Sequence, residues 1–397
     1  MIKNKKSLSY VALLMSYMNI VNSVGGLFVA KSVSNSLAFT GIISSMGSIL
    51  TILATIFIGM ELDTRNKRTS LSVFSFLAAL SMIPLFIVNH SYFLYTYILV
   101  DFVSGFFALI SSLAFNGIIK DATNDETLED VTNSIATFKS AGLILGFITI
   151  FIVTTLGLNI LFLLKVYVVI GLLVAIVGQF IDSTSKENLS LDEKSYGISR
   201  LYNIFSEINN DGRIKYAILM NAVTTAMQIS YNGLIIYFWN SVDSNYSKIW
   251  LLLIGYSVGL LGSMVVLKTK SSWIMGWLLA TEVIVAMGYI ANQNVYTLTA
   301  LIAILMMGTV PIMAWSQRIR ILHTSSNVQA SHAAVTNLVS SGLEVVFSVF
   351  VAGIFQYLHA TSYTLLFSAV VTLLVFIHSK KVIERWKITK LLFVALA

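Results

Sequence analysis

Five charged side chains lie inside long apolar segments of this chain, and they are its clearest candidates for chemistry. They are Asp101, Lys139, Lys165, Glu282 and Glu344. Burial and neighbouring charges decide whether a carboxyl group keeps its proton, so a buried acid can be ionised in one conformation and neutral in another. Charged groups are costly in a membrane interior and usually belong to transport or proton pathways. The three acids are therefore candidate proton-coupling groups.

The position of each charged residue suggests a different role. Glu344 continues a helical face of polar residues at Asn337, Ser341 and Ser348, which favours it as the first coupling candidate. Asp101 and Lys165 are predicted at similar depths, roughly 10 to 15 Å below the outer face at about 1.5 Å per residue. They are expected either to form an ion pair or to leave Asp101 available for coupling. Lys139 is expected to bind an anionic substrate or to hold a carboxylate in its charged form.

Polar side chains also form stripes within the apolar segments. The stripe on the seventh segment has helical spacing and favours lining of a cavity over the alternative, hydrogen bonding between helices. It comprises Asn221, Thr224, Thr225, Gln228, Tyr231 and Asn232. The first segment has a weaker stripe of Ser16, Asn19, Ser23 and Gly26, with Asn22 beside it. On the tenth segment the candidates are Thr309, Trp315 and Gln317.

Twelve apolar segments carry these residues, and each is about long enough to span a membrane. The chain has 57% hydrophobic and 11% charged residues. The predicted spans are 8–31, 37–61, 69–89, 92–119, 131–156, 158–181, 214–239, 247–267, 273–292, 296–317, 330–357 and 362–379. The sequence therefore predicts an all-α, multi-pass membrane protein with twelve transmembrane helices.

One long polar stretch divides the spans into two groups of six. We predict a six-helix bundle at 1–181, a linker at 182–213 with a short amphipathic helix, and a second bundle at 214–397. All lysines and arginines except Lys31, Lys139, Lys165 and Lys248 fall on one side if both termini are cytoplasmic. That bias predicts insertion in the cytoplasmic (inner) membrane with cytoplasmic termini. Because the positive charges are scattered over short loops, nucleic acid is not an expected partner.

Several chemistries find no support in the sequence. The chain has no cysteine, which excludes disulfides and cysteine metal sites. It has no phosphate-binding loop, no HExxH motif and no Ser-His-Asp arrangement. We therefore expect neither an enzyme nor a bound metal or cofactor.

The loop after the second span holds a compact group of charges, GMELDTRNKR at 59–68. Its pattern, G-x-x-x-D-x-R-x-[RK]-[RK], is formed by Gly59, Asp63, Arg65, Lys67 and Arg68. With twelve spans in two halves, this pattern resembles the signature of the major facilitator superfamily. Thr64 and Asn66 depart from the residues usual in that family. A looser similarity to macrolide-efflux-like drug exporters includes DATNDETLED at 121–130 and GLLGS at 259–263.

The resemblance implies two bundles that rock about a central cavity lined by spans one, four, seven and ten. It also implies that Glu344 borders the cavity and that Glu282 lies on a peripheral span, so Glu282 is the third coupling candidate. Two features depart from drug antiporters. Asp101 stands where an arginine is usual, and Phe147 follows Gly142 and Gly146 where a proline is expected. The two glycines still predict close helix packing.

The resulting functional prediction is proton-coupled efflux of an amphipathic or hydrophobic small molecule by a monomeric secondary transporter in contact with membrane lipid. The alternatives are a lipid or peptide exporter, a nutrient importer, and a transporter-like sensor or immunity protein. Asp63 is predicted to face the start of span eleven near Ser331 and His332, because a helix N-terminus attracts anions. Such a contact would hold the cytoplasmic end closed.

Overall fold

The computed structural model describes the chain at 2–33, 55, 57–88, 92–123, 125–158, 161–181, 198–242, 248, 250–269, 272–325, 328–358 and 361–396. Side chains are described for a smaller set, which leaves out Ser23, Gln228, Tyr231, Asn232 and Ser348. Within these ranges the regular structure is helical, and no residue lies in a strand. The all-α prediction is confirmed.

The first-half helices run from α1 to α6. Their bounds are α1 Ile2–Val33, α2 with its described part at 57–64, α3 Lys67–Ser81, a 3₁₀ turn Ile83–Phe86, α4 Phe93–Asp121, α5 Asp125–Thr155 and α6 Leu161–Gly178. The linker contains α7, Ile198–Asn210. The second-half helices are α8 Gly212–Val242, α9 Trp250–Thr269, α10 Ser272–Ala291, α11 Val295–His323, α12 Gln329–Leu358 and α13 Thr361–Leu396.

Eight of these helices are long and apolar enough to cross a membrane by length and composition within the described residues. They are α3 with its 3₁₀ extension, α4, α5, α6, α9, α10, α11 and α13. Much of the predicted second span, 37–61, lies outside the described residues. Multi-pass membrane insertion is supported, and the count of twelve spans remains a prediction.

Two helix ends differ from the sequence prediction. Helix α13 continues to Leu396, where we predicted a span ending at 379 followed by a basic tail. Helix α3 ends at Ser81 and passes into a 3₁₀ turn that contains Pro84. Proline favours the first turn of a helix because its nitrogen has no hydrogen to donate and its φ is fixed. The predicted third span is therefore two helical pieces.

The interior is divided between two main apolar clusters. One is built largely from first-half helices, with Leu113, Ile118 and Tyr167 among its fully buried members. The other is built from second-half helices around Leu298 and Tyr289. Burial of these side chains supplies much of the packing that holds each group of helices together.

Glycines allow the closest helix contacts. A Cβ at Gly142 would meet the carbonyl of Leu13, and one at Gly146 would meet the side chain of Ile20. Helices α1 and α5 therefore pack closely, as the glycine spacing predicted. A Cβ at Gly259 would likewise meet the carbonyl of Ala303, which explains a glycine of the GLLGS segment through contact between α9 and α11.

Candidate functional site

The two halves of the chain are in close contact at one end, where loop 59–68 lies. We call this the inner end, and it is the predicted cytoplasmic side. Gly59 of α2 lies directly against the start of α12. A Cβ on Gly59 would lie 2.6 Å from Ala334 Cβ and 2.9 Å from the Ala330 carbonyl oxygen. Only glycine lets the two helices approach this closely without displacement.

Asp63 ties the same loop to the N-terminus of α12. The Ala330 amide donates to Asp63 Oδ1 at 2.9 Å, and the Ser331 amide donates to Oδ2 at 3.1 Å. The Ser331 hydroxyl also donates to Oδ2. Burial raises the pKa of Asp63 to about 6, while these hydrogen bonds and the Lys67 charge act in the opposite direction. The contact predicted near Ser331 is present.

The basic residues of the loop fasten it to first-half helices. Lys67 Nζ lies 2.8 Å from Asp121 Oδ2 at the end of α4, and both side chains are largely buried. Arg68 donates to the carbonyl of Gln179, just beyond α6. Arg65 pairs with Glu61 on an exposed surface, where such pairs contribute little. The loop therefore joins α2, α4 and α6 and presents Asp63 to the other half.

Two further contacts join the halves near the inner end, and sequence analysis did not predict either. Arg318 of α11 lies 2.7 Å from Glu129 of α5. Gln317 Nε2 donates to Asn116 Oδ1 of α4 at 2.7 Å. Glu129 belongs to the acidic segment at 121–130, so opposite charges near the cytoplasmic ends of two predicted spans were a signal available in the sequence.

The linker helix α7 covers this closed end. Its Ile204 and Ile208 are buried in a cluster with Met60 of α2, Val335 of α12, and Ile214 and Ile218 of α8. The His332 ring is fully buried, with Nε2 3.4 Å from Glu207 Oε2. The amphipathic helix predicted in the linker therefore packs against both halves of the protein.

Contacts between the halves continue along α5 and α9. Ser140 and Ser263 lie 3.3 Å apart between their hydroxyl oxygens. Further along, Phe147 stacks on Tyr256 with ring centroids 4.3 Å apart. Phe147 thus fills the interface at the position where the drug-exporter resemblance predicted a proline.

Asp101 has a different partner from the one considered in the sequence analysis. Its Oδ1 accepts a hydrogen bond from Asn22 Nδ2 of α1 at 2.9 Å. Lys165 is exposed on α6, and no ion pair joins it to Asp101 in the described structure. The alternative of an Asp101–Lys165 pair was wrong, because similar depth does not place two side chains on facing sides of their helices.

The other candidate charges lie in three distinct surroundings. Glu344 is buried on α12, at 7% exposure. Glu282 is buried in the middle of the inward stripe of α10, and its two carboxylate oxygens have no hydrogen-bond partner in the described structure. Lys139 is half-buried on α5. The structure does not bring the three acids together into one cluster.

The polar stripes are partly located. Asn221 accepts a hydrogen bond from Ser316 at 3.3 Å, Thr224 is buried, and the Thr225 hydroxyl has no partner within the described residues. Asn19 is exposed on α1, and Asn22 contacts Asp101 as above. Ser23, Gln228, Tyr231 and Asn232 lie outside the described side chains.

The structure gives contacts for two predicted cavity residues of α11. Thr309 is buried, and its hydroxyl donates to the Leu305 carbonyl of its own helix at 2.9 Å. Trp315 packs within the second half against Phe376, with ring centroids 6.3 Å apart. These contacts lie within the second half, and a cavity position for Trp315 stays a prediction.

Solved structures show what this arrangement resembles. FucP, titled a Major Facilitator Superfamily transporter in the outward conformation, has a TM-score of 0.67 and 15% identity, over 95% of this chain and 98% of that one. The structure titled E. coli fucose:proton symporter FucP has a TM-score of 0.70 and 14% identity, with the same coverage. The human organic anion transporter MFSD10 has a TM-score of 0.68 and 10% identity, over 94% and 99%.

These similarities show the fold, which is that of major facilitator superfamily transporters. No protein-family model and no curated protein sequence matches the chain.

Proposed function

We propose that this protein is a secondary transporter that works by alternating access between two bundles, 1–181 and 214–397. The observation that carries the proposal is the contact of Asp63 with the amides of Ala330 and Ser331. It joins one half to a helix N-terminus of the other through bonds that would break if the inner end opened. Such hydrogen bonds can break and re-form as the two halves move relative to each other.

The exposure of residues along α1 also supports alternating access. Along one face of α1, Leu8 and Ala12 are fully buried, whereas Asn19 is exposed. Asn19 lies nine residues from the exposed Tyr10, about 180° around the helix at roughly 100° per residue. The side of α1 that turns away from Tyr10 is thus closed near the inner end and accessible further out. This is the pattern expected of an outward-facing transporter.

We propose proton coupling through Glu344 and Asp101. Asp101 lies between α4 and α1 with one amide donor from Asn22, so a change in the distance between those helices would change its stabilisation. Glu344 is buried on α12, the helix whose start is held by Asp63. We propose that its ionisation changes when α12 moves as the inner end opens. The fucose:proton symporter shares this fold, which supports protons as the coupling ion.

Glu282 differs from Glu344 and Asp101 in the surroundings of its carboxyl group. An unpaired ionised carboxylate is strongly disfavoured in a low-dielectric interior. Both Glu282 oxygens lack partners in the described structure, so we assign the neutral acid there. Glu282 lies on α10, whose inward stripe faces other second-half helices rather than α1 to α6. It remains the third coupling candidate.

The proposed cargo is an amphipathic or hydrophobic small molecule, moved outward in exchange for protons. The polar stripe at Asn221, Thr224 and Thr225 supplies hydrogen-bonding groups on α8, and Asn19 supplies another on α1. The proposed outward direction of transport rests on the sequence similarity to macrolide-efflux-like exporters. Transport in the opposite direction by the same residues would make the protein an importer.

Reconstituted protein tests this proposal. Liposomes containing the protein and a trapped pH dye receive an imposed pH gradient and then a panel of amphiphiles that includes erythromycin and ethidium. We expect substrate-dependent proton flux that Glu344→Gln abolishes. Glu384→Gln, which changes an exposed acid on α13, is the matched control and should leave the flux intact. Ligand binding without flux for every compound would instead favour the sensor alternative.

A further inference from the structure

Lys139 faces the interior of the protein near its closed inner end. The exposed residues Leu145, Ile148 and Ile152 mark the outward face of α5. Ile148 is nine residues from Lys139, so the two point in opposite directions, about 180° apart. On the interior side, Ala136 packs with Ala314 of α11 in one apolar cluster. Lys139 therefore projects toward the second half.

No acid of the described residues forms an ion pair with Lys139. Its ammonium forms no hydrogen bond or ion pair with any residue over the described ranges. The charge that acts on it is that of Arg320, also positive. A buried cation is normally paired or hydrogen-bonded, because leaving it alone is costly. The side chain is half-buried rather than sealed, so the position is accessible to a ligand.

Arg320 approaches from the other half. Helices α5 and α11 are antiparallel, since Glu129 pairs with Arg318 and Ala136 packs with Ala314. Side chains lean toward the N-terminus of their own helix. Lys139 therefore leans toward the inner end and Arg320 toward the outer end, which shortens the distance between their charges along the helix axes.

Arg320 is only partly compensated. Its Nη1 lies 3.4 Å from the Gln329 carbonyl oxygen and 3.5 Å from that residue's side-chain oxygen. The charge of Asp63 also acts on it, but the Asp63 oxygens accept hydrogen bonds from the start of α12. Arg320 is therefore a second positive charge that acts on Lys139 from the other half.

We infer that Lys139, with Arg320, forms an anion subsite at the inner end of the path between the two halves. It accepts the carboxylate, sulfonate or phosphate group of an amphipathic molecule whose apolar part extends toward the outer end. The inference rests on the proposed transport function and specifies the substrate class as an organic anion. A charged ligand group there gains charge-assisted hydrogen bonds from an ammonium and a guanidinium.

Matched ligands test the subsite. Protein in phosphatidylcholine nanodiscs is dialysed to equilibrium with naphthalenesulfonate, naphthylmethanol or naphthylmethylammonium, and binding to empty discs is subtracted. We expect the sulfonate to bind at least about tenfold more tightly than the alcohol, the magnitude of one hydrogen bond to a charged group. The ammonium compound should bind least. Inorganic sulfate should displace naphthalenesulfonate only weakly.

Variants identify the residue responsible. Lys139→Gln should remove the preference for the sulfonate, Lys139→Arg should retain it, and Lys165→Gln should not change it, because Lys165 is exposed on α6. Lys139→Met replaces the glutamine variant if that variant does not fold. Equal binding of sulfonate and alcohol, or a preference that survives loss of Lys139, overturns the inference.

Two further results would separate the anion subsite from the transport proposal. Displacement by inorganic sulfate as strong as by naphthalenesulfonate would overturn the assignment to an organic anion. If Lys139→Gln retains substrate-dependent proton flux with unaltered preference among charged ligands, the transport proposal stands and the subsite fails.

Discussion

Gly59→Ala is the change that most sharply tests closure of the inner end. The added Cβ would lie 2.6 Å from Ala334 Cβ, whereas carbon atoms prefer separations of about 3.5 to 4.0 Å. Helices α2 and α12 must then part by about 1 Å. Such overpacking typically costs about 1 to 3 kcal/mol, and the cost disappears once the two helices separate. The substitution should therefore favour the inward-facing state.

The size of the shift follows from that energy. A minor conformation commonly holds about 1% of molecules. A penalty of about 2 kcal/mol on the closed form multiplies the open-to-closed ratio about thirtyfold, so about a quarter of the molecules should open. The native chain has no cysteine. Nitroxide labels at Glu126→Cys and Lys381→Cys, both exposed, therefore report the distance across the inner end.

We expect a second, longer distance in Gly59→Ala that is nearly absent without the substitution. Gly342→Ala is the matched control, because a Cβ there meets no heavy atom within 4 Å. An unchanged distance distribution in folded Gly59→Ala would refute the proposal that the contact of Gly59 with α12 belongs to the closure of the inner end.

Three further predictions concern the same loop. Asp63→Ala leaves two amides of α12 unpaired only in the closed form, so the longer distance should appear in label measurements, and its absence would contradict the proposed contact. Asp63 has a pKa of about 6 when the inner end is closed. A hydrated aspartate, as expected in the open form, has a pKa of about 4. The closed form therefore binds the proton more tightly. Lowering the pH from 7 to 5 should favour closure, raising it through 6 should remove that gain, and Asp63→Ala should abolish this part of the response. Lys67→Met removes a largely buried ion pair with Asp121 and should lower the thermal unfolding temperature clearly more than Arg65→Met does, since the Arg65 pair is exposed. Equal losses in the two variants would contradict this ranking.

The features that could be predicted from sequence were those with a local signature. The contact of Asp63 with the start of α12 was predicted because a helix N-terminus attracts anions, and it is present. The close approach of Gly59 to Ala334 was not predicted. Hydrophobic runs predicted most helices to within a few residues. Gly142 and Gly146 predicted close packing because glycines four residues apart lie on one face of a helix.

The features that could not be predicted depend on direction around a helix. Counting residues gave depth, and depth alone made Lys165 a plausible partner for Asp101, although Asn22 is the observed one. Trp315 and Gln317 are two residues apart, yet one packs on Phe376 and the other reaches Asn116. Periodicity separates interior from lipid, but it does not tell which of several interior neighbours a side chain meets.

The central claim is alternating access, and distance measurements at both ends, made under the same conditions, test it most directly. One label pair is at Glu126→Cys and Lys381→Cys, and a second, in a separate sample, is at Tyr92→Cys and Asn292→Cys, exposed sites predicted at the outer end. The account predicts that Gly59→Ala lengthens the inner distance and shortens the outer one in the same fraction of molecules. An inner end that opens while the outer distance stays fixed would contradict it.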